Sequence, residues 1–190
     1  TVKEFVKILG ARTAAPGGGS ASALIASMGT ALGSMMGWMT YGNAKFEHLD
    51  AQMREHIKPL VEITDKLIYR VDLDTDAFTD FMDAMRLPKE TAEEKSARTT
   101  AMQNGLKKAI DVPLDSMRIT DKAWPHVIEL AKIGNINSKS DLQVGARALE
   151  LGIWGCHKNV EINMKDIKDE EYKNRISAEA KAIADRAVQM

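Results

Sequence analysis

Cysteine is almost missing from this chain of 190 residues: Cys156 stands alone, so no internal disulfide can form, which suits a reducing compartment. Aromatic residues make up only 5% of the chain, and runs of alternating β-branched residues with hairpin turns are missing. The net charge of −1 leaves no basic excess to hold nucleic acid and no polybasic run for a membrane surface. His48, His56, His126 and His157 have no metal-ligand spacing with one another or with Cys156, so no metal site is expected. The opening TVKEFVKILG is amphipathic and has no apolar signal-peptide core. A cytoplasmic protein is expected.

The most unusual gap is in charge. No charged residue occurs from Thr13 to Ala44. That length would cross a bilayer, but serines, threonines and glycines interrupt it throughout. No membrane span is expected; the pattern predicts a helix buried on all sides within a bundle. Gly29, Gly33 and Gly37 recur at every fourth position and would form a groove for close approach of another helix. The expected user of this segment is a second copy of the chain, in a homodimer.

What is present is helical periodicity almost everywhere. Helices are predicted over Val2–Leu9, from an N-cap at Ser20, and from Phe46 to Met85 with an interruption at Pro59. Thr91 and Glu94 make a capping box for another, which Pro113 starts or breaks. Further helices are predicted over Trp124–Ile133, stopped by Gly134, from a cap at Asp141 to about Met164, and over Asp169–Met190. The fold class is all-α, an up-and-down helical bundle forming one domain over residues 1–190.

Three stretches carry chemistry. In "RTAAPGGGSASA" the glycines Gly17, Gly18 and Gly19 precede a helix, with Ser20 next. No lysine follows, as a nucleotide-binding P-loop would require. Two readings stay open: a tight turn that needs glycine, or exposed backbone amides for a ligand. In and just after "VDLDTDAF" the acids Asp72, Asp76, Asp80 and Asp83 suit a solvated helix face. Asp74 instead interrupts the apolar stripe between Val71 and Phe78. A carboxylate in such a position needs a partner or a task, so Asp74 is the favoured functional acid. Asn159 and Asn163, four apart, either bridge helices or line a pocket. Cys156 reads as a small core residue.

Taken in order, "APGGGSASA", "DLDTDAF", "RLPK", "VPL", "GNINSKSDLQVGA" and "NVEIN" resemble the formiminotetrahydrofolate cyclodeaminase and methenyltetrahydrofolate cyclohydrolase family over nearly the whole chain. The resemblance implies an all-helical dimer with a folate pocket. It implies an ammonia-lyase of one-carbon metabolism and histidine catabolism, which converts 5-formiminotetrahydrofolate to 5,10-methenyltetrahydrofolate and ammonia. The alternatives are a cyclohydrolase acting on the same carbon and a non-catalytic helical dimerisation module. The implied catalytic residues are Asp74 and Asp72. The implied substrate-binding residues are Gly17, Gly18, Gly19, Ser20, Lys89, Asn135, Asp141, Asn159 and Asn163, with Arg86 a second candidate for the folate carboxylates. No cofactor or metal is implied. A formiminotransferase, fused or separate, is the implied partner.

Overall fold

The computed structural model describes residues 1–190 and contains helices and connecting turns with no strand. The seven α-helices are α1 (Val2–Leu9), α2 (Gly18–Thr40), α3 (Asp50–Arg86), α4 (Ala92–Asp121), α5 (Trp124–Ile133), α6 (Lys139–Asn163) and α7 (Glu170–Gln189). The cross-helix contacts give their directions. Gly37 meets Ile57 and Ser20 meets Asp74, so α2 and α3 run antiparallel. Gly18 meets Asn159 and Gly29 meets Gly145, so α2 and α6 do as well. Lys107 pairs with Asp169 and Arg118 with Glu179, which makes α4 and α7 parallel. The long helices therefore alternate up and down around α2. No helix is long and apolar enough to cross a membrane.

Side chains cap the starts of three of the seven α-helices. Thr1 with Glu4 and Thr91 with Glu94 form capping boxes that satisfy free backbone N–H groups. Asp169 accepts from the Tyr172 N–H at the start of α7. Two expected caps fall elsewhere. Gly17, in extended backbone, precedes α2, and Ser20 is already the third helical residue. Ser138 precedes α6, and Asp141 lies in its first turn, where the helix dipole favours a carboxylate. Pro59 and Pro113 interrupt neither α3 nor α4. A helix-interior proline costs about 3 kcal/mol. Pro113 is itself buried, and Ile57, Leu60 and Leu114 beside the two prolines join one core of 26 residues, so packing outweighs the lost backbone bond.

The charge-free segment, as α2, packs its buried face against α3 and α6, which corrects the expectation of burial on all sides because its other face is left open. Its glycine groove is occupied from within the same chain, which corrects the expectation that a second copy fills it. A Cβ on Gly29 would lie 2.8 Å from the Gly145 carbonyl oxygen, and one on Gly145 would lie 3.0 Å from the Gly29 oxygen. Gly33 faces Leu60 and Val127, and Gly37 faces Ile57. The outer side of α2 remains uncovered: Met28, Met35, Trp38 and Met39 are 41–54% exposed.

Candidate active site

The start of α2, the middle of α3 and the end of α6 converge on one pocket of about 270 Å3. Gly17, Gly18 and Gly19 form one edge, Asp74 and Phe78 the second, and Asn159, Ile162 and Asn163 the third, with Ala14, Ala15 and Ala109 closing the lining.

The stripe argument for Asp74 finds its physical cause here. The residue stands on the inner side of α3, where its carboxylate rests on Gly19. A methyl group at Gly19 would come within 2.6 Å of Asp74 Cγ and Oδ2. Glycine is needed at this position because the carboxylate occupies the space of a side chain. Gly17 has open space around it, and a Cβ on Gly18 would touch the Asn159 amide at 3.4 Å. The three glycines therefore do different work.

Burial pushes the Asp74 carboxyl above the usual carboxylate range, and hydrogen bonds from the Ser20 hydroxyl and backbone N–H partly oppose it. The hydroxyl bond measures 2.8 Å. No cation pairs with Asp74. The nearby Cys156 thiol is fully buried and pushed up strongly, first by burial and then by the charge of Asp74, so it remains a neutral core group.

Asn159 and Asn163 combine both open readings. Each donates one of its two amide N–H groups to a backbone carbonyl, Gly155 at 2.9 Å and Ala109 at 3.2 Å respectively. Each retains its Oδ1 as an acceptor, and both side chains line the pocket. A pocket with one desolvated carboxylate and two amide oxygens attracts a cationic or N–H-bearing ligand.

The other sequence-selected residues lie elsewhere in the chain. Asp72 is exposed, because two helical steps rotate it about 200° from Asp74. Lys89 is exposed in the connection after α3, and Arg86 pairs with Asp83 at 2.9 Å. Asn135 is buried at the far end of the bundle. Its backbone N–H donates to Thr40 Oγ1, its side chain donates to the Met39 carbonyl, and it accepts from the Asn137 N–H. It closes a turn onto the end of α2, about 30 Å along that helix from the pocket. Asp141 is likewise about 27 Å along α6 from Asn159. Asp80 pairs with Lys108, which bears out the solvated reading of the acidic face. Sequence reasoning overlooked Thr75. Its only signal was a hydroxyl beside Asp74, and its inward direction depends on α2 being there.

An antiparallel helical bundle holding a desolvated carboxylate in an amide-lined pocket is the class of protein that fold and site define. The chain belongs to the formiminotransferase-cyclodeaminase family, whose model matches residues 1–182. It is 48% identical over 187 residues to formimidoyltransferase-cyclodeaminase of Dictyostelium discoideum, covering 98% of this chain and 34% of that one. The Gallus gallus protein of the same name is 47% identical over 185 residues, covering 97% and 34%. Methenyltetrahydrofolate cyclohydrolase of Methylorubrum extorquens is 34% identical over 176 residues, covering 90% of this chain and 83% of that one. The chain thus spans about a third of the length of the first two relatives. The crystal structure of formiminotetrahydrofolate cyclodeaminase from Thermotoga maritima superposes with a TM-score of 0.85 at 26% identity, covering all of this chain and 92% of that one.

Proposed function

We propose that the chain catalyses the cyclodeaminase reaction, closing 5-formiminotetrahydrofolate to 5,10-methenyltetrahydrofolate with release of ammonia. The observation that carries this reading is the half-buried Asp74 carboxylate, which lines the pocket with no cation beside it. In the protonated formimino group the carbon is an electrophile between two nitrogens. N10 attacks it, the N10 proton moves to the terminal nitrogen, and that nitrogen leaves as ammonia. The balance requires one proton to be taken and returned, and the product keeps one positive charge. A carboxyl whose proton affinity is raised by burial suits the transfer. Its ionised form offers a negative charge to the cationic product. Asn159 and Asn163 offer acceptors for substrate N–H groups, and the amides of the glycine turn suit the polar edge of the folate. Holding N10 against the carbon supplies the proximity. Asp72, Lys89, Asn135 and Asp141 take no part in this mechanism.

The relatives at 47–48% identity, both named as cyclodeaminases, favour this reaction over cyclohydrolysis. We further propose a homodimer joined along the exposed stripe of α2, working with a formiminotransferase fused to the chain or separate from it. The direct test is to supply 5-formiminotetrahydrofolate and follow ammonia and methenyl absorbance together. Equal release of both is expected. Turnover of 5,10-methenyltetrahydrofolate with water, without ammonia from the formimino compound, would make the cyclohydrolase the better reading.

A further inference from the structure

Six buried serines and threonines lie along α2, and five of them bond back into their own helix, Thr30 also standing 2.7 Å from Thr64 Oγ1 of α3. Ser22, Ser27, Thr30, Ser34 and Thr40 each donate to a backbone carbonyl three or four residues back in their own helix. Ser20 does not. It is fully buried, and its hydroxyl crosses to α3, donating to Asp74 Oδ2 at 2.8 Å and standing 3.3 Å from Thr75 Oγ1. A serine hydroxyl has one proton to give. With that proton on Asp74, the contact with Thr75 has Thr75 as its donor. The chain then runs from Thr75 to Ser20 to Asp74.

A proton arriving on Asp74 Oδ2 reverses this chain. Asp74 then donates to Ser20, and Ser20 donates to Thr75. Both hydroxyls rotate, and no heavy atom has to move. We infer that Ser20 and Thr75 are positioning residues, a reversible hydroxyl pair that keeps the Asp74 carboxyl hydrogen-bonded in both protonation states. This rests on the reading of Asp74 as the proton carrier. It moves Ser20 from the substrate-binding set to the support of the acid, and it explains why a half-buried, unpaired carboxyl can both take and return a proton. Few other groups compete for control. Helix α2 contributes no charge, α6 contributes neutral Cys156, Asp72 and Asp76 are exposed, and Lys108 of α4 is held by Asp80. Loss of the Ser20 hydroxyl removes a bond that favours the charged form.

The test follows the Asp74 carboxyl directly, by NMR titration of the protein carrying 13C-labelled aspartate, with Asp74→Asn to assign the signal. Ser20→Ala is expected to move the titration upward and to lower kcat about tenfold, with KM changed less than about twofold. Thr75→Val keeps the shape and removes the hydroxyl, so kcat falls; Thr75→Ser keeps the hydroxyl and restores it. A structural role for Thr75 would reverse that order. An unmoved titration in Ser20→Ala, or equal rates for Thr75→Val and Thr75→Ser, overturns the inference even when Asp74→Asn is slow. Parental turnover by Asp74→Asn overturns the underlying reading, and the titration then shows separately whether the hydroxyls govern the proton.

Discussion

The Asp74 carboxylate lies directly against Gly19, in the space that any larger residue would fill. This contact joins the glycine turn to the acid and makes the two sequence motifs one feature. It sets a graded prediction along the turn. Gly19→Ala gains helix propensity of about 1 kcal/mol, but its methyl would stand 2.6 Å from Asp74 Cγ. Overpacking of that kind typically costs about 1–3 kcal/mol, so the variant should melt lower and lose turnover as the carboxylate is displaced. Gly17→Ala should leave the seat of Asp74 undisturbed, because nothing lies within 4 Å, and should cost only the preference for glycine over alanine ahead of a helix. Gly18→Ala should keep its stability and weaken folate affinity, since its methyl reaches the pocket beside Asn159. Thermal melts with substrate titrations would separate the three, and equal behaviour at Gly17 and Gly19 would refute the seating argument.

Asp74→Asn tests the acid itself. The amide preserves shape and can still accept from Ser20, but it carries no charge and relays no proton. We expect folate binding to persist and kcat to fall about 100-fold or more, with Asp76→Asn as the exposed control. Stability should change in the opposite sense. Burial raises the Asp74 pKa in the folded state, so the associated stability is present below the unfolded pKa and is lost as pH rises through the folded one. The asparagine variant should therefore melt above the parent at about pH 8, and the gap should close toward about pH 4. A variant less stable at neutral pH would contradict the sign.

Much of this was legible in one dimension. The gap in charge marked the central helix, and the break in the α3 stripe marked Asp74, because burial leaves a compositional trace at each position. Asn135 and Asp141 show the opposite case. Their motifs suggested a ligand, but which end of an antiparallel bundle a residue occupies depends on chain direction, and nothing in the local pattern records it. The glycine groove was visible while its occupant was not, since small residues admit a helix of the same chain as readily as one from another. Ser20 read as a cap for a similar reason: a serine before a helix and a serine three residues inside it differ only in where the first turn begins.

The α2 surface carries the prediction about assembly. Leu24, Met28, Ala31, Met35 and Trp38 follow steps of four and three residues, the spacing of a coiled-coil seam. Trp154 of α6 is also 55% exposed. Met35→Glu places a charge in this stripe without touching the core, so the helical signal and the Asp74 pocket should survive. The dimer dissociation constant should rise at least about tenfold, equivalent to about 1.4 kcal/mol. Sedimentation across a concentration series would measure it. Gly29→Leu should behave differently and unfold the chain itself, because it collides with Gly145 and Leu149 of the same protomer. An unchanged dimer in Met35→Glu, or a monomeric parent, would remove α2 from the interface.

A last prediction concerns acid stability away from the pocket. His56 on α3 and His126 on α5 approach with Nδ1 atoms 3.1 Å apart, so one ring must accept from the other, and both cannot be cationic without repulsion. Burial, and next the neighbouring His56, push the His126 pKa below its ordinary value. For a histidine shifted downward, the unfolded chain binds the extra proton first. The stability it contributes is thus complete above the unfolded pKa and is lost as pH falls through the folded one. His126→Gln has no ring to charge, so its melting temperature should fall less steeply than that of the parent between about pH 7.5 and 5. Parallel curves across that window would show that the pair is inert to protons and that the acid-side loss originates elsewhere.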